Sequence, residues 1–458
     1  MAEIICYGGV NEIGGNRILL RDSGTEVFLD FGRNFSRERM YYDPPYLEAR
    51  CTEHLLGLGI LPDIPGIYRG IDSGDGGMPA GVLITHPHTD HYDYIRFLRE
   101  EIPIHCGEIT REIITARECA GGKWPSKEYY ICNLTKTEGY REFRKFETFT
   151  GNGRGNAGGI RYRAHEVDHS TYGAYGFILE TGDGVIAYTG DLRLHGKRSG
   201  LTRGFIDALK KEDVELLIIE GTNIDSHRIA TEDEVRMKIR EIVNATGGMV
   251  LCGFSLLDFE RFLSFYEAAK EAGRKFVISM KQAYILSRIY ACLSLPSPAD
   301  ENIYILAKEK KRGDTWEEVV MSIPGVNLIT AEEISTRQEG VLMVAGFYDF
   351  NELITIKPVP GSVYILAQSE PFNEEMEIDH EKMKNWLDLY GLPMYTIHAS
   401  GHASPHELKS IISGVNPGRV LFIHTERPHL YQRFISDLGI ESIIPVEGQP
   451  VSIRRGSR

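Results

Sequence analysis

The chain has 458 residues, 42% of them hydrophobic and 25% charged, with a formal net charge of −14 at neutral pH. That length supports two or three domains with proper cores, and the composition is that of an ordinary soluble globular protein. No apolar run approaches the ~20 residues that span a bilayer, and the excess of acid argues against a polyanion-coated surface, although bound cations can still draw a polyanion substrate into a local cleft.

Two further exclusions follow from particular residues. The seven cysteines are odd in number, scattered, and contain no CxxC pair, so neither a disulfide framework nor a Cys-based zinc knuckle is indicated. The opening Met1-Ala2-Glu3-Ile4-Ile5-Cys6 lacks the basic start and apolar stretch of a signal peptide, and a cytoplasmic location is expected. The densest basic runs, Lys308-Glu309-Lys310-Lys311-Arg312 and Arg454-Arg455, read as solvated surface.

In chain order, Glu3–Tyr7, Arg17–Leu20 and Glu26–Leu29 read as short strands, the last two joined by the turn Asp22-Ser23-Gly24. Val82–Thr85 is a buried strand, and the amphipathic run Tyr92–Arg99 is a predicted helix. Phe177–Glu180 and Val185–Tyr188 flank Thr181-Gly182-Asp183-Gly184, a glycine-containing hairpin signal, and Leu216–Ile219 is a further strand. The character then changes. Thr231 and Glu234 form a capping box for a helix through Val243, followed by the strand Met249–Cys252, the helix Asp258–Ala272 and the strand Lys275–Ser279. This alternation predicts a parallel α/β unit, continuing less clearly to Val363–Ala367. Near the end, Ser404-Pro405-His406-Glu407 caps a helix through Val415, and the strand Val420–Ile423 delivers His424.

The chemistry concentrates in His86-Pro87-His88-Thr89-Asp90-His91. In an extended segment residues i and i+2 project to one side, so His86 and His88 can grip one ion while Asp90 and His91, at the start of the next helix, reach a second. His nitrogen and carboxylate oxygen suit catalytic zinc, and two ions ~3.5–4 Å apart can clamp both oxygens of a phosphate displacement. His169 in Val167-Asp168-His169-Ser170 and Asp191 in Thr189-Gly190-Asp191-Leu192-Arg193 are further candidate ligands, Asp191 as a bridge using its two oxygens. His165 and His195 are weaker competitors for the same role.

These residues resemble a known family. HxHxDH at 86–91, the later His169 and Gly190-Asp191 resemble motifs two to four of the metallo-β-lactamase superfamily. Ile218-Ile219-Glu220-Gly221-Thr222, Ser400-Gly401-His402-Ala403 and Phe422-Ile423-His424-Thr425-Glu426 resemble motifs A, B and C of its β-CASP nuclease branch. Gly8-Gly9-Val10-Asn11-Glu12-Ile13-Gly14-Gly15-Asn16 and His398-Ala399-Ser400-Gly401-His402 are similar to ribonuclease J, particularly its archaeal forms.

The resemblance implies an α/β protein in which a metallo-β-lactamase αββα sandwich is interrupted by a Rossmann-like β-CASP insert. The expected limits are 1–222 and 371–458 for the two parts of the sandwich and 223–370 for the insert. It implies His86, His88 and His169 on one divalent ion, Asp90, His91 and His424 on the other, and Asp191 between them. Zinc is the expected metal, with manganese or magnesium as alternatives.

The implied substrate is single-stranded RNA, favoured over DNA by a histidine at position 424, and the implied assembly is a homodimer. The expected activity is metal-dependent hydrolysis of RNA phosphodiesters, in the 5′-to-3′ direction from a 5′-monophosphate, with endonucleolytic cleavage as an addition. In this scheme Asp90 or Asp191 orients the attacking water, and His402 is the general acid for the leaving 3′-oxygen, held in its useful tautomer by Glu220. Helix termini near Ser255 and near Ser400, Gly401 and Ala403 are candidate phosphate stations, with His398 as a further contact.

The chain departs from ribonuclease J in reading His424-Thr425-Glu426 at motif C and Asp-His-Ser at motif three. Only 34 residues follow His424, so the C-terminal domain of bacterial forms is not expected. The rival functions are a small-substrate hydrolase, a non-catalytic partner subunit and a DNA-directed β-CASP nuclease.

Overall fold

The computed structural model describes the chain apart from residues 45, 72–75, 122–130, 136–138, 143, 227–229, 309–314, 369–373 and 455–458. Most of the basic run 308–312, and Arg455, therefore lie outside the described residues. No helix among the described residues is long and apolar enough to cross a membrane.

The chain divides into two compact units, Met1–Arg228 with Gly401–Arg458, and Ile229–Ser400. The first holds two seven-stranded sheets. One runs in the order Pro450–Ser452, Glu3–Cys6, Arg17–Asp22, Thr25–Phe31, Gly81–Leu83, Ile104–Gly107, Phe146–Phe149. The other runs Glu441–Ile443, Arg419–Ile423, Val214–Glu220, Gly184–Tyr188, Tyr175–Thr181, Ile160–Glu166, Arg154–Ala157.

Strand alternation sorts the apolar side chains into three layers. Ile4, Ile18, Leu20 and Leu29 of the first sheet meet Phe177, Leu179, Tyr188, Ile218 and Leu421 of the second. Their neighbours Ile5, Leu19, Phe28 and Val82 face outward onto Leu55, Tyr92 and Ile114. Leu217, Ile219 and Phe422 face outward onto the helices Ser199–Leu209 and Pro405–Val415 through Phe205, Leu209, Leu408 and Ile412. This is the expected sandwich of helix, sheet, sheet and helix.

Two local features position the site. In the strand Thr25–Phe31 the register shifts, Leu29 pairing Ile18 and Phe31 pairing Arg17, so Asp30 is an extra, bulged residue at φ 57°. The bulge removes Asp30 from the apolar face that strict alternation would give it and re-aims its carboxylate. In the second sheet Gly184–Tyr188, Val214–Glu220 and Arg419–Ile423 are parallel, with Tyr188 opposite Ile218 and Glu220 opposite Ile423. Their C-terminal ends therefore lie side by side and carry Asp191, Glu220 and His424.

The predicted helix Tyr92–Arg99 takes another form. Thr89–Tyr92 is α-helical and Asp93–Phe97 is a 3₁₀ turn. Every residue from His91 to Leu98 is buried, so the run lacks the solvent stripe of an amphipathic helix, and Leu98 leaves it to bridge with Tyr68.

The second unit is a single all-parallel sheet in the order Asn327–Ile329, Ile303–Leu306, Lys275–Ile278, Val341–Val344, Val250–Gly253, Val363–Leu366, Met394–Thr396. Its near-continuous apolar strands and intervening helices are those of a Rossmann-like unit. The insert reaches further along the chain than 370. Met383 and Leu387 of the helix Glu374–Leu389 join its core, and Met394–Thr396 pairs with Val363–Leu366 as an edge strand. The sandwich therefore resumes at Gly401 rather than 371.

Candidate metal centre

His86 follows the strand Gly81–Leu83, and His88 caps the short helix that carries Asp90 and His91. His169 lies between Ile160–Glu166 and Tyr175–Thr181, and Asp191 follows Gly184–Tyr188. Gly190 is required just before it: at φ 54° a Cβ there would stand 2.8 Å from Thr85 Cγ2. The folded chain brings all of these together with His424. His86, His88, His169 and Asp191 form one group of mutually close ligand atoms, and Asp90, His91 and His424 form another.

The first group has His86 Nε2 3.0 Å from His88 Nδ1, His169 Nε2 3.1 Å from the same His88 Nδ1, and Asp191 Oδ2 3.5 and 3.8 Å from His86 and His169. In the second, Asp90 Oδ2 is 3.2 Å from His424 Nε2 and 3.7 Å from His91 Nε2, while Asp191 Oδ2 is 3.2 Å from His91 Nε2. An ion bound tetrahedrally at ~2.0–2.1 Å separates its ligand atoms by roughly 3.3 Å, so both groups fit a divalent ion. Asp191 differs from the expected bridge: one oxygen, Oδ2, faces both groups. Its Oδ1 is buried with no hydrogen-bond partner among the described residues, an orphaned acceptor of the kind a cation satisfies.

The far side of four imidazoles is fixed. His86 Nδ1 is 2.9 Å from Thr85 Oγ1, His91 Nδ1 2.7 Å from Asp30 Oδ2, His169 Nδ1 2.6 Å from the Gly401 carbonyl and His424 Nδ1 2.8 Å from Thr222 Oγ1. Asp30 and the Gly401 carbonyl can only accept, and Thr85 gives its own hydrogen to Asp30, so His91, His169 and His86 donate from Nδ1; in all four rings Nε2 is the edge facing the cluster. Asp30 also accepts from the Thr85 amide and hydroxyl and the Tyr188 hydroxyl at 2.7, 2.8 and 2.7 Å. Asp30, Thr85, Tyr188 and Thr222 were not among the predicted site residues. Asp30 left one signal, a carboxylate inside the apolar run Phe28-Leu29-Asp30-Phe31.

Electrostatics divide the cluster. Burial pushes His86 and His169 well below the ordinary histidine range and His88 down to about 4, keeping them neutral as ligands must be. Burial also opposes the His91 cation, but Asp191, Asp90 and Asp30 outweigh it and hold His91 well above that range. Asp191 is held well below the carboxylate range, against its burial, by His424, His91 and His402.

His402 stands beside this cluster. Its Nδ1 is 3.4 Å from Glu220 Oε1 and 3.8 Å from Asp191 Oδ2. Burial works against its charged form, yet Glu220 and Asp191 raise it to about 9. Glu220 is fully buried and accepts the amide hydrogens of Thr222 and Ala403, so it is itself held in place. His165 stacks on Phe205 and His195 pairs with Glu407, both away from the ligand groups.

The phosphate stations fare differently. Ala403 is buried and its amide already donates to Glu220, while Ser404 and Glu407 close the helix terminus with a reciprocal capping box. Ala403 therefore has no amide to offer a phosphate. Gly401 serves through its carbonyl, on His169. Ser255 is exposed, but the helix behind it starts at Phe259 with Asp258 as its cap, and that carboxylate takes the place an anion would need. His398 and Ser400 are half-buried at the end of the second unit.

With the geometry in view, the relatives can be placed. Residues 75–249 match a family profile described as a beta-lactamase superfamily domain, and residues 392–450 match one described as a Zn-dependent metallo-hydrolase RNA specificity domain. The chain is 24% identical over 437 residues to ribonuclease J of Mycobacterium tuberculosis, covering 92% of this chain and 68% of that protein. It is 27% identical over 443 residues to ribonuclease J of Thermus thermophilus, covering 93% and 69%.

The chain is a ribonuclease J-like member of the metallo-β-lactamase superfamily. Ribonuclease J 1 of Streptococcus pyogenes is 23% identical over 461 residues, covering 97% of this chain and 72% of the other. A crystal structure of a protein of unknown function from Enterococcus faecalis superposes with a TM-score of 0.76 at 22% identity, covering 98% of this chain and 99% of that one, and shows the shared fold. The ribonuclease J-like likeness thus extends over both units.

Proposed function

We propose that this chain is a metal-dependent ribonuclease of the ribonuclease J type, which holds two divalent ions, zinc by preference, and degrades single-stranded RNA from a 5′-monophosphorylated end in the 5′-to-3′ direction. The observation that carries the reading is where the RNA-specificity region meets the metal cluster. That region spans His402 and His424, and both histidines stand within 4 Å of Asp191 Oδ2. His86, His88, His169 and Asp191 would hold one ion, and Asp90, His91, His424 and Asp191 the other. Bound there, the ions would neutralise phosphodiester charge and bring the pKa of a water to ~7.

The chain's own groups then have distinct tasks. Asp90, whose carboxylate is the more open of the two acids at 20% exposure, orients the attacking water. His402, kept protonated by Glu220 and Asp191, donates its proton to the departing 3′-oxygen. Asp191, His402 and His424 also form a third group close enough to hold an ion, so a second reading makes His402 a ligand. Metal content of a His402→Ala variant separates the two.

A homodimer in the cytoplasm is the expected setting, checked by light scattering of the purified protein and by fractionation. The activity test uses end-labelled RNA bearing a 5′-monophosphate or a 5′-triphosphate. Release of mononucleotides from the monophosphate alone supports the reading. Internal fragments from both point to endonuclease action, and no cleavage with divalent metal present overturns it.

A further inference from the structure

Arg261 is fully buried in the first turn of the helix Phe259–Glu271, where its amide donates to the capping carboxylate of Asp258. Its guanidinium lies 3.7 Å from the Asp258 carboxylate of its own helix and has two further destinations. Nη2 is 3.0 Å from Glu232 Oε1, a carboxylate 1% exposed at the first residue of the helix Glu232–Ala245. Nη1 reaches the Ile397 carbonyl at 3.4 Å and Nη2 the Ala399 carbonyl at 3.5 Å. Glu232 opens the insert and 397–399 closes it, so one cation gathers both necks of the chain.

A buried arginine loses hydration that a single carboxylate rarely restores. A core of this kind could be built with apolar residues, and the helix needs no arginine to form. The two carbonyl contacts give the charge a second use. They fix the backbone of Ile397-His398-Ala399 immediately before Ser400, Gly401 and His402. The next anchors along that segment are Gly401, whose carbonyl takes His169 Nδ1, and Ala403, whose amide is held by Glu220.

We propose that Arg261 is a positioning residue for this segment: its clasp on the Ile397 and Ala399 carbonyls sets the backbone from which His402 is presented as proton donor. The proposal rests on the nuclease reading. It deepens that reading by extending the proton-donating machinery to a residue of the insert that touches neither metal ligands nor substrate.

The test compares two substrates in the metal-loaded full-length chain. RNA has a poor leaving group and needs the His402 proton, whereas bis(p-nitrophenyl) phosphate has a leaving group that departs without one. Arg261→Met combined with Glu232→Gln removes the clasp and its main anionic partner together, leaving Asp258 its capping bond to the backbone amide of residue 261, and Arg261→Lys keeps the charge but not the fork. The double variant should lower kcat on RNA by roughly 10–10²-fold, short of the ~10²–10⁴ that loss of a general acid itself costs. Its rate on the small diester and its metal content should stay within about twofold of wild type, and Arg261→Lys should recover part of the RNA rate. Equal losses on both substrates would reduce Arg261 to a structural role, and no loss on either would end the proposal. A wild type inactive on both sinks the nuclease reading and the proposal with it; an active wild type matched by the variant sinks the proposal alone.

Discussion

Replacing Asp30 with Asn tests whether the proposed second ion depends on a residue outside its ligand group. Asp30 Oδ2 receives three donors, from Thr85 Oγ1, Tyr188 and His91 Nδ1, and Oδ1 receives the Thr85 amide. An asparagine can keep its oxygen at the Oδ2 position, but its NH₂ group then opposes the Thr85 N–H. One buried donor is stranded, a cost of about 1–3 kcal/mol in stability. His91 meanwhile exchanges an anionic partner for a neutral one, and outer contacts of this kind change metal affinity by roughly 10–100-fold, or about 1.4–2.7 kcal/mol. The loss should fall mainly on the proposed second ion, at Asp90, His91 and His424, because His91 contacts Asp30 directly whereas His86 reaches it only through Thr85. The assay is competitive zinc titration of the stripped variant against a chelator, with metal counted by mass spectrometry. Two tight sites in Asp30→Asn, or loss of the first ion ahead of the second, would refute the assignment of His91 and its support.

Asp191→Asn should abolish RNA cleavage and lower metal content together, since one oxygen serves both ligand groups; full activity in that variant would sink the two-ion arrangement. His402→Ala should retain metal while turnover falls by ~10²–10⁴-fold, and loss of metal there would make His402 a ligand instead. Glu407 is half-buried, and burial favours its neutral form, but His195 and the Ser404 amide pull it below the ordinary carboxylate range. A carboxylate depressed in the fold adds stability above its unfolded pKa of about 4.3 that is lost as pH falls, so Glu407→Gln should flatten the decline of the melting temperature from about pH 5 to 3. An equally steep decline in that variant would show the pair contributes nothing.

What could be read beforehand depended on how local its cause is. The spacing of His86, His88, Asp90 and His91 encodes its own geometry, an extended turn running into a helix, and needs no tertiary contact to interpret. His169, Asp191 and His424 were legible because each follows an apolar strand, and strand ends in such sheets collect on one side. Asp30 was not, because its orientation depends on a bulge, and a bulge is a property of two paired strands. The limit of the insert was missed for a related reason. Met394–Thr396 is a three-residue edge strand with half-exposed side chains, so nothing in its pattern separates it from a loop. The Ser255 and Ala403 stations show a third limit: a sequence marks a helix terminus but not which side chains already take its amides, as Asp258 and Glu220 do here.

The strain in the cluster has a bearing on what metal does here. Asp30 at φ 57° and His424 at φ 52° are both non-glycine residues in the left-handed region, a conformation costing of order 1–3 kcal/mol each. The chain's own contacts hold both of them. Asp30 is fixed by its four donors, and His424 by Thr222 and by its amide on the Gly9 carbonyl at 2.8 Å. With both residues held by protein groups, the expectation is that this sandwich folds without the ion, unlike small domains whose fold is the metal-binding free energy. Stripping with a chelator should end cleavage while the far-ultraviolet circular dichroism and a cooperative melt survive, and readdition of zinc should restore activity without refolding. Unfolding on chelation would place the strain of Asp30 and His424 on the metal instead.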